Sequence, residues 1–139
     1  MTVTASPVPI LKDNYAWLLR DSDTGATAIV DPADAQPIIE AIEVAGGRLD
    51  LILLTHHHAD HIAGVDEVRA RFDCPVVGVR VVRLPDHRFR IEGFGPFELP
   101  RDDDGQVNVT AATQMITDVI EGWVREYPGQ YLWFHRRWR

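Results

Sequence analysis

Residues 49–61 read LDLILLTHHHADH. An apolar segment, Leu49 to Leu54, runs into a polar cluster of His56, His57, His58, Asp60 and His61. A short, nearly continuous apolar run suits a β-strand buried on both faces of a sheet. Four of the chain's six histidines therefore gather where that strand ends.

His56 and His58 stand two positions apart. In extended backbone they project to one side, so both imidazoles can meet one ion. Asp60 and His61 lie just beyond and can reach a second ion. Neutral imidazoles with a carboxylate suit zinc, iron or manganese. Two ions about 3.5–4 Å apart could hold a bridging hydroxide and polarise a carbonyl. His57 would point away and serve structure. The bland alternative is a solvated loop or a tag-like accident. The run is internal and broken by Ala59-Asp60, which argues against a tag.

Outward from this stretch, the order of elements is that of an α/β fold. Residues 15–20 (YAWLLR) and 26–30 (ATAIV) read as strands joined by the turn-rich DSDTG. Ile38, Ile39, Ile42 and Ala45 repeat at helical spacing; Asp34 is the expected N-cap and Gly46-Gly47 the stop. Val65, Val68 and Phe72 give the next helix its apolar stripe, and residues 74–79 (CPVVGV) read as another buried strand. Strand, helix, strand, helix, strand implies right-handed crossovers in a layered sheet. Ile29, Leu51, Leu53 and Val77 are its expected core. The pattern then changes to a hairpin turning at Pro85-Asp86 and a solvated loop, RDDDGQ. A long amphipathic helix starts at Val109, with Ala112, Ile116, Val119, Ile120, Trp123 and Tyr127 on one face. Pro128-Gly129 ends it.

Composition sets limits. With 139 residues and 45% hydrophobic content, the chain can bury one real core. Cys74 is alone, so no internal disulfide can form, which fits a reducing, cytoplasmic setting. The N-terminus lacks the basic and apolar segments of a secretory signal. No apolar run approaches the roughly 20 residues of a membrane span. Residues 1–79 carry 5 basic and 12 acidic side chains, whereas residues 80–139 carry 9 of each. A net acidic chain without a basic face is not expected to bind nucleic acid.

The motif THHHADH matches the T-H-x-H-x-D-H signature of the metallo-β-lactamase superfamily. LKDNYAWLLRD, AIVDPADAQPIIEAIEVAGGRLDLILLTHHHADHIAGV and CPVVG make residues 1–79 resemble the opening half of glyoxalase II, the hydroxyacylglutathione hydrolases. The resemblance implies the first half of an αββα sandwich, a two-metal site, and hydrolysis of a glutathione thiolester. By that resemblance His56 and His58 bind the first metal, and Asp60 and His61 the second. Asp60 would also orient the attacking hydroxide as the catalytic residue, and Asp31 in VDP would support the ligands from behind. The family supplies a further histidine well after the signature, then a bridging aspartate and another histidine. The corresponding stretch here, NVTAATQMITD, has no histidine. His87 and His135 are the remaining candidates, together with a second subunit.

Residues 76–139 carry a second resemblance. VVRLPDHRFRIEGFGPFELP and ATQMITDVIEGWVREYPGQYLWFHRRWR are similar to the C-terminal end of bacterial lipid A biosynthesis (lauroyl-type) acyltransferases. Gly129 stands where that pattern has glutamate. That family's His-x4-Asp pair is matched only by His61 to Asp66, inside the other segment, and reads as coincidence. Aromatics and arginines in the tail could sit at a membrane surface. A helix packed by its single apolar stripe is the preferred reading.

The expectation is therefore one layered α/β domain. Residues 1–79 form a metal-binding half resembling the metallo-β-lactamase sandwich, and residues 80–139 an acyltransferase-like hairpin and long helix. Its expected function is metal-dependent thiolester hydrolysis with a loosely held Zn2+ (or iron or manganese) and weak activity. The alternatives are a non-catalytic hybrid that binds metal loosely and an acyltransferase-related, membrane-associating module.

Overall fold

The apolar run becomes a strand, but its two faces differ. Ile52 is completely buried, while Leu51 and Leu53 on either side are only half-buried. The computed structural model of the chain describes residues 2–56, 58–106 and 108–131. Its strands are β1 (Val3–Ile10), β2 (Asn14–Asp21), β3 (Thr27–Val30), β4 (Leu51–Leu54), β5 (Val76–Arg83) and β6 (Phe89–Phe94). Its helices are α1 (Ala35–Val44), α2 (Ala59–Ile62), α3 (Val65–Phe72) and α4 (Val109–Glu126), followed by a 3-10 turn at Pro128–Gln130. The strands form one sheet in the order of the chain. β1, β2 and β3 pair antiparallel, and β3, β4 and β5 pair parallel.

Register explains the difference between the faces. Leu18, Ile29 and Ile52 stand side by side on β2, β3 and β4. With Val8, Ile10 and Ala16 they share one core with Ile38 and Ile42 of α1 and Val68 of α3. Each fully buried isoleucine contributes about 1.5–3 kcal/mol. Trp17, Val30, Leu53 and Val77 form the neighbouring row on the other face. Val77 is buried there, but Trp17 is 45% exposed. Ile29 and Val77 thus hold the core positions expected of them. For Leu51 and Leu53 the expectation is corrected: the fully buried residue of β4 is Ile52. An apolar run reports that a strand is buried without saying which side helices cover. Strand β1, not expected from MTVTASPVPI, pairs along all of β2.

The chain divides into two compact units, Met1–Val81 with Ile91–Phe97 and Val82–Arg90 with Glu98–Arg139. In the first, α1 ends as expected: Gly46 and Gly47 adopt φ 115° and 72°, and Gly47 N–H returns to Ile42 O. Asp34 occupies the N-cap position but makes no side-chain cap bond. Cys74 is buried, and burial pushes its thiol pKa up.

In the second unit, Asp86 and His87 turn the chain between β5 and β6 with φ 61° and 59°. Leu84 N–H closes that turn on Arg88 O at 2.8 Å. Asn108 caps α4 by accepting from Ala111 N–H at 2.8 Å. Ala112 is buried on the expected face, but Ile116 is 43% exposed. Gln130 ties the end of the helix to Arg83, accepting from its N–H at 2.8 Å and donating to its carbonyl at 3.1 Å. The aromatic and arginine-rich end, with His135, lies outside the described residues, as does His57. Among the described residues no helix is long and apolar enough to cross a membrane.

Candidate metal centre

The histidines sit beyond the carboxyl end of β4, beside the carboxyl end of β3. Ligand sites of α/β sheets collect at such strand ends. Asp31 follows β3 directly and has φ 51°, a left-handed backbone that aspartate tolerates better than most residues. Its N–H extends the ladder by donating to Leu53 O at 3.0 Å. The turn brings its carboxylate against Thr55, the first residue after β4. Thr55 N–H donates to Asp31 Oδ1 at 2.8 Å, and the Thr55 hydroxyl bonds Asp31 Oδ2. His61 Nδ1 also lies 3.0 Å from Asp31 Oδ2. Asp31, with a side chain only 10% exposed, thus meets three polar partners at once.

Around this hub the imidazoles converge. The His56 and His61 rings lie 3.9 Å apart between centroids, and the His56 and His58 rings 4.8 Å apart. Thr55 Oγ1 lies 2.9 Å from His56 Nδ1. Asp31, His56 and His61 offer ligand atoms that all lie within 4.8 Å of one another. Asp60 stands at the rim, its side chain 61% exposed and Oδ2 3.5 Å from His61 Nε2. Burial, then the neighbouring His61 and His58, depresses the His56 pKa below the usual imidazole value. A ring kept neutral at physiological pH retains a lone pair for a cation. Two imidazoles beside carboxylates are a donor set of borderline character, which fits zinc, iron or manganese.

The expected cluster is thus brought together in part. His56, His61 and Asp31 meet, His58 packs on His56, and Asp60 approaches His61. His87 belongs to the β5–β6 turn of the second unit.

Three contributors escape sequence reasoning. Asn14 Nδ2 donates to Asp60 O at 2.8 Å and thereby ties α2 to the β1–β2 turn. Gly64 N–H donates to Pro32 O at 3.0 Å, and a Cβ there would lie 2.8 Å from both Pro32 O and Ala35 N. Only glycine lets the α2–α3 junction approach the β3–α1 loop so closely. The third is the role of Thr55, which opens the signature and whose hydroxyl joins Asp31 to His56. Asn14 carries a turn signal but none for a contact 46 positions away.

The model of the metallo-β-lactamase superfamily matches residues 11–122. The chain belongs to that superfamily. Among curated superfamily relatives, the hydroxyacylglutathione hydrolase of Acidiphilium cryptum is 56% identical over 84 residues, 59% of this chain and 34% of that protein. The hydroxyacylglutathione hydrolase of Cereibacter sphaeroides (strain ATCC 17023) is 42% identical over 122 residues, 88% of this chain and 42% of that protein. The chain thus spans well under half the length of these relatives. A solved metallo-β-lactamase, the BLEG-1 B3 enzyme, is 34% identical with a TM-score of 0.45, covering 54% of this chain and 35% of that one.

Proposed function

We propose that the chain carries the metal-binding front of a hydroxyacylglutathione hydrolase and acts, weakly, on glutathione thiolesters. The observation that carries the reading is the convergence of His56 and His61 on Asp31, with His58 against His56, beyond two parallel strands. The similarity to hydroxyacylglutathione hydrolases supports the choice of substrate.

In this reading His56 and His58 hold one divalent ion and Asp60 and His61 a second. A bound divalent ion supplies Lewis acidity toward a carbonyl and acidifies water. The chain's own residues do the rest. Asp31 holds the His61 ring, Asn14 anchors the backbone that carries Asp60, and the Asp60 carboxylate orients the attacking nucleophile. Two protein ligands per ion leave many positions to water, so binding is loose and turnover slow or absent. Zinc is the favoured ion, with iron and manganese behind it, and a cytoplasmic setting suits the single buried thiol.

The test combines zinc content after dialysis with thiolester turnover in added zinc, using His58→Ala as control. The expected result is substoichiometric zinc and slow turnover that His58→Ala abolishes. Two retained equivalents, or turnover at an ordinary hydrolase rate, would show a completed site. Zinc uptake unaffected by His58→Ala would remove His58 from the ligand set.

For residues 80–139 we propose an acyltransferase-like hairpin and helix that packs rather than binds lipid. The buried Ala112 and the Gln130–Arg83 bonds support packing. Salt-sensitive binding to anionic vesicles that disappears on deleting residues 128–139 would favour the membrane alternative.

A further inference from the structure

We infer that Thr55 is a positioning residue whose hydroxyl, held by Asp31, fixes the Nδ1–H tautomer of His56 and leaves that ring's Nε2 lone pair free for a divalent cation. The inference follows from counting protons. Among the described residues Thr55 Oγ1 has two polar neighbours, Asp31 Oδ2 and His56 Nδ1, the latter at 2.9 Å. A hydroxyl has one hydrogen to give, and an ionised carboxylate only accepts. Were the hydroxyl to donate to His56, lone pairs of Oγ1 and Oδ2 would face each other at hydrogen-bond distance, against a carboxylate that is itself buried although Thr55 and His56 are exposed. The hydrogen therefore goes to Asp31. Oγ1 can then only accept from the imidazole, so His56 Nδ1 carries the proton.

The same count applies to His61 without an intermediary. Its Nδ1 lies 3.0 Å from Asp31 Oδ2 and its Nε2 a longer 3.5 Å from Asp60 Oδ2, so the one proton of a neutral ring belongs on Nδ1, in the closer contact. One carboxylate thus sets two tautomers, that of His61 directly and that of His56 through Thr55. Thr55 N–H, bonded to Asp31 Oδ1 at 2.8 Å, holds the hydroxyl in place for this task. A partner fixing the second ring nitrogen of a ligand histidine typically affects metal affinity without touching the metal.

The inference deepens the metal-site reading and rests on it for its purpose, but the tautomer can be measured without metal. The experiment is a long-range 1H–15N correlation of the imidazoles in the metal-free protein above their titration range, for wild type, Thr55→Val and Thr55→Ser. Wild type should show His56 and His61 both protonated at Nδ1. Thr55→Val should shift His56 toward a tautomer mixture while leaving His61 unchanged, and Thr55→Ser should restore the wild-type pattern. Zinc affinity should fall by about 10–100-fold in Thr55→Val and recover in Thr55→Ser. Wild-type His56 protonated at Nε2 overturns the inference, even if Thr55→Val does not fold. An unchanged His56 in a folded Thr55→Val protein overturns it too. The expected tautomers with no zinc uptake by wild type would support this inference and reject the metal-site reading.

Discussion

The β3–β4 pair is clamped at both ends by an aspartate and a threonine, and the two clamps differ in use. At the carboxyl end, Asp31 of the β3 side accepts from Thr55 N–H of the β4 side at 2.8 Å. At the amino end, Asp50 of the β4 side accepts from Thr27 N–H of the β3 side, also at 2.8 Å. Beyond that shared bond they diverge. Asp31 is nearly buried, has left-handed backbone and meets His61 and the Thr55 hydroxyl. Asp50 has a 36% exposed side chain and pairs with Arg48. One clamp meets the histidine cluster, and the other joins strands at the surface.

Between the clamps lies the apolar middle of the pair, where the largest effect is expected. Ile52→Ala should cost about 2–5 kcal/mol, since the residue is fully buried against the helices. Leu53→Ala, on the less covered face, should cost about 1–2 kcal/mol. Urea unfolding of both variants measures the gap. Equal costs would mean that both faces are equally covered and that the alternation seen along β4 has no energetic weight.

The next effect separates the clamps. Asn tolerates the left-handed backbone of residue 31, so Asp31→Asn tests charge and acceptor count more than conformation. An amide has one acceptor oxygen where the carboxylate has two. With that oxygen kept for Thr55 N–H, the amide nitrogen would face the Thr55 hydroxyl and His61 Nδ1. The cost should be about 1–3 kcal/mol, with zinc affinity lowered by about 10–100-fold. Asp50→Asn should leave zinc affinity unchanged. If zinc titration finds the two variants alike, the proposed division of labour between the ends is wrong.

What was legible in the sequence follows the same division. Local signals named the elements well: Gly46-Gly47 for a helix end, the isoleucines of α1 for its buried stripe, the His and Asp spacing for the cluster. Contacts between distant segments were legible only where the family resemblance supplied them, as for Asp31 behind the ligands; residue types and spacing alone did not show them. Nothing in the spelling of Thr55 links it to Asp31, 24 positions away, because a hydroxyl bond leaves no periodic trace. The facing of β4 was hidden for a related reason. Apolar residues at 51, 52, 53 and 54 cannot show an alternation that depends on which helices lie above them. β1 was missed because its two prolines count against a strand; both lie in an edge strand, where prolines are tolerated.

The smallest expected effect is at the surface clamp, and its pH dependence carries the test. The Thr27 N–H bond, and after it the Arg48 bond, lowers the Asp50 pKa below the usual carboxylate value. A carboxylate depressed on folding stabilises the fold above its unfolded pKa of about 3.9. That contribution is lost as pH falls through the lower, folded value. Asp50→Ala should therefore cost on the order of 1 kcal/mol at neutral pH, limited by exposure. The charge-dependent part of the deficit should shrink as unfolding is followed downward from pH 4, and the part that a neutral acceptor also supplies should remain. Asp50→Asn should recover much of it, because an amide oxygen still accepts from Thr27 while losing only the charge beside Arg48. That recovery would identify the strand-to-strand bond, rather than the ion pair, as what this end contributes. A deficit that does not change with pH would mean that the Asp50 charge plays no part, and the likeness between the two clamps would then be one of geometry alone.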